Sequence, residues 1–194
     1  MGIIKLAKAI KRHDPAMRSW FEIILYPGFW VMGFHRPAHW FYKLRLFFLA
    51  RLISQLSRGL TGIEIHPGVR MGHGVFIDHG YGVVIGEKCI IGNNVLIYHG
   101  VTLGATGNET DKENRHPHVG DDVIIGAGAL VLGSITIGNG SKIGAGALVV
   151  SDVPENGTVV SEPGRLVGQE ASLRKEINEV IQRIEELESE SECE

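Results

Sequence analysis

Aliphatic side chains recur every six residues through the middle of the chain. The period starts at Ile65, is interrupted twice, and ends at Val149. The residue two places before each of these positions is apolar or small as well. The twelve positions on the period are Ile65, Met71, Ile77, Ile85, Ile91, Ile97, Leu103, Ile125, Val131, Ile137, Ile143 and Val149.

A six-residue period is neither the 3.6-residue period of a helix nor the two-residue alternation of a flat strand. It fits a chain that turns after each short strand and so completes a triangular coil in about 18 residues. Glycine follows seven of the twelve positions, as at Gly72 and Gly86, where a Cβ would obstruct a turn or a close approach. The pattern predicts a mainly β domain, a parallel β-helix of hexapeptide repeats, over residues 61–168.

The two interruptions of the repeat both contain histidine. The first adds two residues to the period and carries Asp78 and His79. The second includes a polar loop at 104–118, which ends in Arg115 and His116. Because the regular coils of a solenoid mainly serve stability, irregular loops are where functional side chains are expected.

Helical patterns flank the repeat on both sides. Residues 3–11 are amphipathic, and Asp14 before a proline is typical of a helix start. Residues 41–56 form a second apolar helical pattern, and a third runs from 171 to about 190. The predicted organisation is a helical region at 1–60, the β-helix, and a C-terminal acidic amphipathic helix at 169–194.

The C-terminal helix carries apolar residues at spacings of four and three. This spacing is the seam of a coiled coil, which would join three subunits. It is equally the pattern of a single amphipathic helix that lies on its own domain. The positions are Leu173, Ile177, Val180, Ile184 and Leu187.

Composition and charge narrow the class of protein. The chain has 194 residues, 44% of them hydrophobic, and two cysteines, which suits one cytoplasmic protein without a disulfide framework. No apolar stretch reaches the roughly 20 residues of a membrane span. Residues 1–60 hold ten basic against two acidic side chains. Such a basic end could contact nucleic acid or anionic lipid, or it could be a solvated helix surface or take part in charge pairing between subunits. Without a groove-reading motif we expect neither a nucleic-acid nor a membrane partner.

His79 is the leading candidate for catalysis. A positioned imidazole can take the proton of an alcohol while its oxygen attacks a carbonyl carbon. Glu64 lies fifteen residues earlier, nearly one coil, and is expected to approach His79 and orient its ring. Arg115 is suited to bind a carboxylate through two hydrogen bonds. His66, His73, His99 and His118 are interpreted as structural or exposed, although several histidines could also build a zinc site.

Together these residues resemble the serine acetyltransferase family of hexapeptide acyltransferases. The resemblance covers about residues 10–168, and an ordered set of motifs carries it. The motifs are Ile65-His66-Pro67, Ile77-Asp78-His79, Val84-Ile85-Gly86-Glu87, Val101-Thr102-Leu103-Gly104, Arg115-His116-Pro117 and Pro163-Gly164-Arg165-Leu166-Val167-Gly168.

The resemblance implies a left-handed β-helix and a homotrimer, possibly a dimer of trimers, with active sites between subunits. It implies acetyl transfer from acetyl-CoA to L-serine, which gives O-acetylserine for cysteine biosynthesis, with no metal. His79, Glu64 and His116 are then catalytic, and Asp14, Asp78, Arg115 and His116 hold the amino acid. The residues expected at CoA are Ala105, Thr106, Ala127, Lys142 and Ala145.

Four positions depart from the family's pattern. Glu64 stands where an aspartate is usual, Ala105 replaces a glycine, and Trp30 replaces a histidine. The chain ends in Glu194 rather than the isoleucine by which relatives dock into the sulfhydrylase of the next step, so that complex is not expected. L-Cysteine, which shares the ammonium and carboxylate of serine, is expected to be a feedback inhibitor.

Three other functions share some of these features. Another hexapeptide O-acetyltransferase, acting on a sugar or xenobiotic hydroxyl, would keep His79 without needing Asp14, Asp78 and Arg115. A γ-type carbonic anhydrase would need three histidines around one zinc and no CoA. A scaffold acting through the C-terminal helix would need no catalytic residues.

Overall fold

A computed structural model describes residues 18–107, 114–164 and 169–191. One compact unit ends at Ser161, and a second begins at Glu162. The first unit contains a 3₁₀ helix at Trp20–Leu25, helix α1 at Pro27–Lys43, helix α2 at Phe47–Thr61 and fourteen short strands. The second contains helix α3 at Gln169–Ser191. Asp14 and the amphipathic pattern at 3–11 lie outside the described residues.

The strands are two or three residues long and pair only in parallel. Most are connected to the next by a short turn, β7 and β8 are connected by the polar loop, and from β1 to β13 the strands that follow one another in a sheet are three apart in sequence order. They are β1 Glu64–Ile65, β2 Arg70–Met71, β3 Phe76–Ile77, β4 Val84–Ile85, β5 Ile90–Ile91, β6 Leu96–Ile97, β7 Thr102–Gly104, β8 His118–Val119, β9 Ile124–Ile125, β10 Leu130–Leu132, β11 Thr136–Ile137, β12 Lys142–Ile143, β13 Leu148–Val149 and β14 Thr158–Val159.

Three sheets form the faces of a triangular coil. Sheet A has the order β1-β4-β7-β10-β13, sheet B the order β2-β5-β8-β11, and sheet C the order β3-β6-β9-β12-β14. The chain therefore passes from A to B to C in each coil, and the connections form three columns, which we name the A–B, B–C and C–A corners. The parallel β-helix predicted from the six-residue period is confirmed.

The aliphatic positions of the repeat form the core. In sheet A, Ile65 pairs with Ile85, which pairs with Leu103, so that like side chains stack along the axis. Of the twelve positions all are buried except Met71, which packs against the same core. Each buried aliphatic side chain stabilises the fold by about 1.5–3 kcal/mol through removal of its surface from water. The strand register therefore follows directly from the hydrophobic pattern.

Two helices pack against the first coil. Val31 of α1 joins the β-helix core, and Ser54 of α2 donates a hydrogen bond to the carbonyl of Ile65 at 2.7 Å. The predicted single helix over 41–56 is wrong. The helix is interrupted between Lys43 and Phe47, where Arg45 has a φ of +60°. An apolar pattern continues across this break, which is why the sequence suggested one helix.

The largest apolar side chains of α2 face away from its own β-helix. The face of α2 toward the coil consists of small residues, among them Ala50 and Ser54, whereas Phe48 and Leu56 are exposed. Among the described residues, no helix combines the length and the apolar character that a membrane crossing requires.

Candidate active site

Asp78 and His79 occupy the C–A corner of the first coil, where the sequence repeat gains two residues. His79 has a φ of +51°, a left-handed conformation that few side chains adopt. Its imidazole is 76% exposed, whereas Asp78 is buried directly beside it. The His79 Nε2 atom lies 3.9 Å from the Asp78 Oδ1 atom, too far for a hydrogen bond. The extra residues therefore present an imidazole to solvent next to a buried carboxylate.

Glu64 lies on β1, on the outer side of sheet A, but its carboxylate binds two arginines of α2. The Glu64 oxygens lie 3.3 Å from Arg51 and 3.1 Å from Arg58. Neither a hydrogen bond nor an ion pair joins Glu64 to His79, both of which belong to the described part of the chain. The expectation that Glu64 contacts His79 is thus not met in the single subunit. Glu64 instead lines a cavity of about 650 Å³, together with Arg58 of α2 and with Tyr81, which lies in the C–A corner.

The polar loop leaves β7 in sheet A and returns to β8 in sheet B, so it projects from the A–B corner. Residues 108–113 of this loop lie outside the described residues. His116, at the end of the loop, is buried, and its imidazole lies against Gly86, at the end of β4. A Cβ at Gly86 would overlap the imidazole ring. The glycine that follows β4 thus creates the space in which His116 sits.

Arg115 is held beside an acidic side chain that the sequence reasoning did not select. The Arg115 Nη2 atom lies 3.6 Å from the Glu87 Oε2 atom, and the arginine side chain remains 41% exposed. The hydroxyl of Tyr42, on α1, donates a hydrogen bond of 2.6 Å to the other oxygen of Glu87. This hydrogen bond is the main cause that lowers the pKa of Glu87 below its usual range. Glu87 was visible in the sequence as the residue after Gly86, but Tyr42 has no motif.

Four of the five residues expected at CoA fall on two corners. Ala127 and Ala145 lie in turns of the C–A corner, and Lys142 is exposed on β12 in sheet C. Ala105 and Thr106 follow β7 at the A–B corner. The C–A turns stack directly, since the Gly146 amide donates to the Ala127 carbonyl at 2.8 Å. The structure thus groups Ala127 and Ala145 with His79, and Ala105 and Thr106 with His116.

The remaining histidines have different surroundings. Burial is the main cause that lowers the pKa of His66, whose Nδ1 accepts a hydrogen bond from the Gly68 amide at 3.0 Å. His118 begins β8, whereas His73 is exposed in a turn. Within residues 18–107, 114–164 and 169–191, no three His, Cys, Asp or Glu side chains form a group that could hold a metal ion.

Comparisons with known proteins agree with this geometry. Residues 116–151 match a family model of the bacterial transferase hexapeptide, six repeats, and residues 68–99 match one of the hexapeptide repeat of succinyl-transferase. A serine acetyltransferase of Bacillus subtilis (strain 168) is 55% identical over 167 residues, which are 85% of this chain and 76% of the relative. The chain belongs to the serine acetyltransferase family. It is therefore an acyltransferase.

Solved serine acetyltransferases share the fold. The enzyme of Neisseria gonorrhoeae in complex with serine has a TM-score of 0.76 at 41% identity, over 84% of this chain and 66% of the other. A serine acetyltransferase in complex with CoA has a TM-score of 0.74 at 37% identity, over 84% of this chain and 66% of the other. A serine acetyltransferase in complex with cysteine has a TM-score of 0.77 at 38% identity, over 84% of this chain and 63% of the other. This chain thus spans about two thirds of the length of these solved serine acetyltransferases.

Proposed function

We propose that this enzyme transfers the acetyl group of acetyl-CoA to the hydroxyl of L-serine. The observation that carries the proposal is the exposed imidazole of His79 beside the buried carboxylate of Asp78, at a break in the repeat of a serine acetyltransferase. Relatives of the same fold bind serine and CoA. The product is O-acetylserine, and the enzyme serves cysteine biosynthesis in the cytoplasm.

The reaction needs one general base. His79 takes the hydroxyl proton of serine as the serine oxygen attacks the thioester carbon. The tetrahedral intermediate then collapses, the carbon–sulfur bond breaks, and the imidazolium returns the proton to the leaving CoA thiolate. In this mechanism the orienting role of Glu64 stays a prediction, because its carboxylate must leave Arg51 and Arg58 to reach the ring.

The amino acid is held by charges of opposite sign. Asp78 and Asp14 meet the ammonium of serine, and Arg115 meets its carboxylate. His116 supports the acceptor from the A–B side, where its buried ring is fixed against Gly86. L-Cysteine carries the same two charged groups, and a relative of this fold binds it. We therefore expect it to occupy the serine pocket and act as a feedback inhibitor.

A single subunit separates the two halves of this site. His79 lies at the C–A corner, and His116 lies against Gly86 at the A–B corner. Gly86 lies four positions after Gly82 along extended chain, which is a span of roughly 13 Å. One serine molecule is too small to contact both corners of one coil. The complete site therefore combines the C–A corner of one subunit with the A–B corner of its neighbour, as a homotrimer with three-fold symmetry allows.

We expect CoA to bind in the same arrangement. Ala127 and Ala145 stack above His79 at the C–A corner, whereas Ala105 and Thr106 belong to the opposite corner. A CoA molecule between two subunits would contact both groups. The C-terminal helix, whose Ile177, Val180 and Ile184 are about half exposed, can reinforce such a trimer as a three-stranded coiled coil.

The test is release of the CoA thiol from acetyl-CoA with a panel of acceptors. We expect L-serine to give the highest kcat/KM, well above L-homoserine and galactosides. Preference for a sugar hydroxyl would favour a different hexapeptide O-acetyltransferase. Zinc in the purified protein, together with CO₂ hydration and no thiol release, would favour a carbonic anhydrase.

A further inference from the structure

Three side chains on one face of α1 form hydrogen bonds with the A–B corner. The ring of His35 donates a hydrogen bond from Nε2 to the Val69 carbonyl at 3.2 Å, and His39 donates from Nδ1 to the Pro67 carbonyl at 2.8 Å. Residues 35, 39 and 42 lie on one side of a helix because their spacing is close to whole turns. The third, Tyr42, reaches past the first coil and bonds to Glu87 of the second.

Tyr42 is fixed in this position by packing as well as by its hydroxyl. Its ring meets Phe47 edge-on at a centroid distance of 5.2 Å and His66 at 5.8 Å. The hydroxyl donates to Glu87 Oε1 at 2.6 Å, and Glu87 Oε2 lies 3.6 Å from Arg115. An uninterrupted chain of contacts thus runs from α1 through one carboxylate to the guanidinium of the acceptor site.

We propose that Tyr42 and Glu87 are positioning residues that hold Arg115 in place for the carboxylate of serine. The inference rests on the proposed function and adds two residues to it, one of them outside the β-helix. Glu87 uses its two oxygens separately, one for the phenol and one for the guanidinium. The phenol therefore sets the rotation of the carboxylate, and the carboxylate sets the direction of Arg115.

The electrostatics of Glu87 suit this role. The Tyr42 hydrogen bond lowers its pKa, and the neighbouring cations Lys88 and Arg115 act in the same direction, as does His66 when it is charged. The carboxylate is therefore ionised at neutral pH, so it attracts Arg115 through an ion pair. The Arg115 side chain remains partly exposed, so a ligand can reach it. A preorganised guanidinium loses less rotational freedom when it binds a carboxylate.

The first test removes one hydroxyl. Tyr42→Phe keeps the ring between Phe47 and His66 and deletes the hydroxyl that donates to Glu87. We expect the KM for L-serine to rise about three- to tenfold, the range of one hydrogen bond, with kcat and the KM for acetyl-CoA unchanged. Tyr26→Phe, at the residue that directly precedes α1, is the matched control and should leave the KM for serine at its original value.

The second test asks whether the two residues act through the same path. Glu87→Gln still accepts from Tyr42 but loses its charge, so the KM for serine should rise by more than in Tyr42→Phe. Adding Tyr42→Phe to Glu87→Gln should then raise it no further, since residues in one chain of contacts are non-additive.

Two results would overturn the inference: an unchanged serine KM in Tyr42→Phe, or an equal rise in the KM for acetyl-CoA, which would indicate a general structural defect. Failure of the proposed function is recognised separately, because the unmodified enzyme would then not acetylate serine at all.

Discussion

Replacing Gly86 by alanine tests where His116 sits. Gly86 directly follows β4 at the A–B corner, and a Cβ built there overlaps the Cδ2 and Nε2 atoms of the His116 ring. The Leu103 carbonyl lies 3.2 Å from the same point, so the backbone cannot move away freely. The imidazole is the part that must shift, by more than 1 Å, to reach an ordinary van der Waals distance.

The size of the effect follows from this displacement. A misplacement of about 1 Å in a catalytic arrangement can lower turnover by about 10²-fold. Overpacking at a well-filled position also costs about 1–3 kcal/mol of stability, which lowers the Tm of a chain of this size by roughly 2–12 °C. Gly86→Ala should therefore lose most of its serine acetylation while it remains folded.

The assay is thiol release from acetyl-CoA with L-serine, measured beside thermal unfolding. Gly33→Ala is the control, because a Cβ at Gly33 on α1 has nothing within 4 Å. Its activity should be unchanged. The double variant Gly86→Ala/His116→Ala should recover the lost Tm without recovering activity, because the clash is gone but so is the imidazole. If Gly86→Ala kept more than half of the original activity, the placement of His116 in the site would be wrong.

Three other predictions concern the base, the pH dependence and the inhibitor. His79→Ala should lower turnover by about 10²–10⁴-fold with little change in CoA affinity. Glu64→Gln should lower turnover less, and the double variant should be no slower than His79→Ala alone. If the two losses of turnover multiplied fully, Glu64 and His79 would not act as a pair. Burial, followed by repulsion from His39, lowers the pKa of His35 from 6.5 to about 4, so the unfolded chain binds more protons between these values. The free energy of unfolding should thus fall by up to about 3 kcal/mol as the pH drops from 6.5 to 4. Urea unfolding of His35→Asn should show most of this pH dependence lost. If the free energy of unfolding of His35→Asn fell as steeply with pH as that of the original protein, the prediction would be wrong. L-Cysteine should inhibit competitively with serine, also after deletion of residues 169–194, and absence of inhibition at millimolar cysteine would refute this.

The fold was predictable because each six-residue repeat places one aliphatic residue at the same position. Each aliphatic position such as Ile85 or Ile97 packs onto its equivalent in the next coil, so the strand register is the sequence period itself. The boundary between α1 and α2 was not predictable in the same way. Leu44 and Leu46 continue the apolar pattern, and only the left-handed backbone of Arg45 ends the helix.

The site was predictable only where the repeat breaks. The inserted residues around His79 and the loop that ends at His116 both stand out against a regular period. The contacts of Glu64 could not be read in this way, because Arg51 and Arg58 belong to α2, which precedes the repeat and has a different period. Tyr42 was missed for the same physical reason, since its contact with Glu87 depends on how α1 packs against the coil.

The claim that two subunits build each active site is tested most directly by mixing two inactive variants. His79→Ala damages the C–A corner and His116→Ala the A–B corner, so each homotrimer should be nearly inactive. When equal amounts are co-expressed or refolded together, about one quarter of the interfaces should pair an intact His79 with an intact His116. We expect serine acetylation to recover to about a quarter of the original activity. If the mixture stayed as inactive as the two variants alone, His79 and His116 would not act from different subunits.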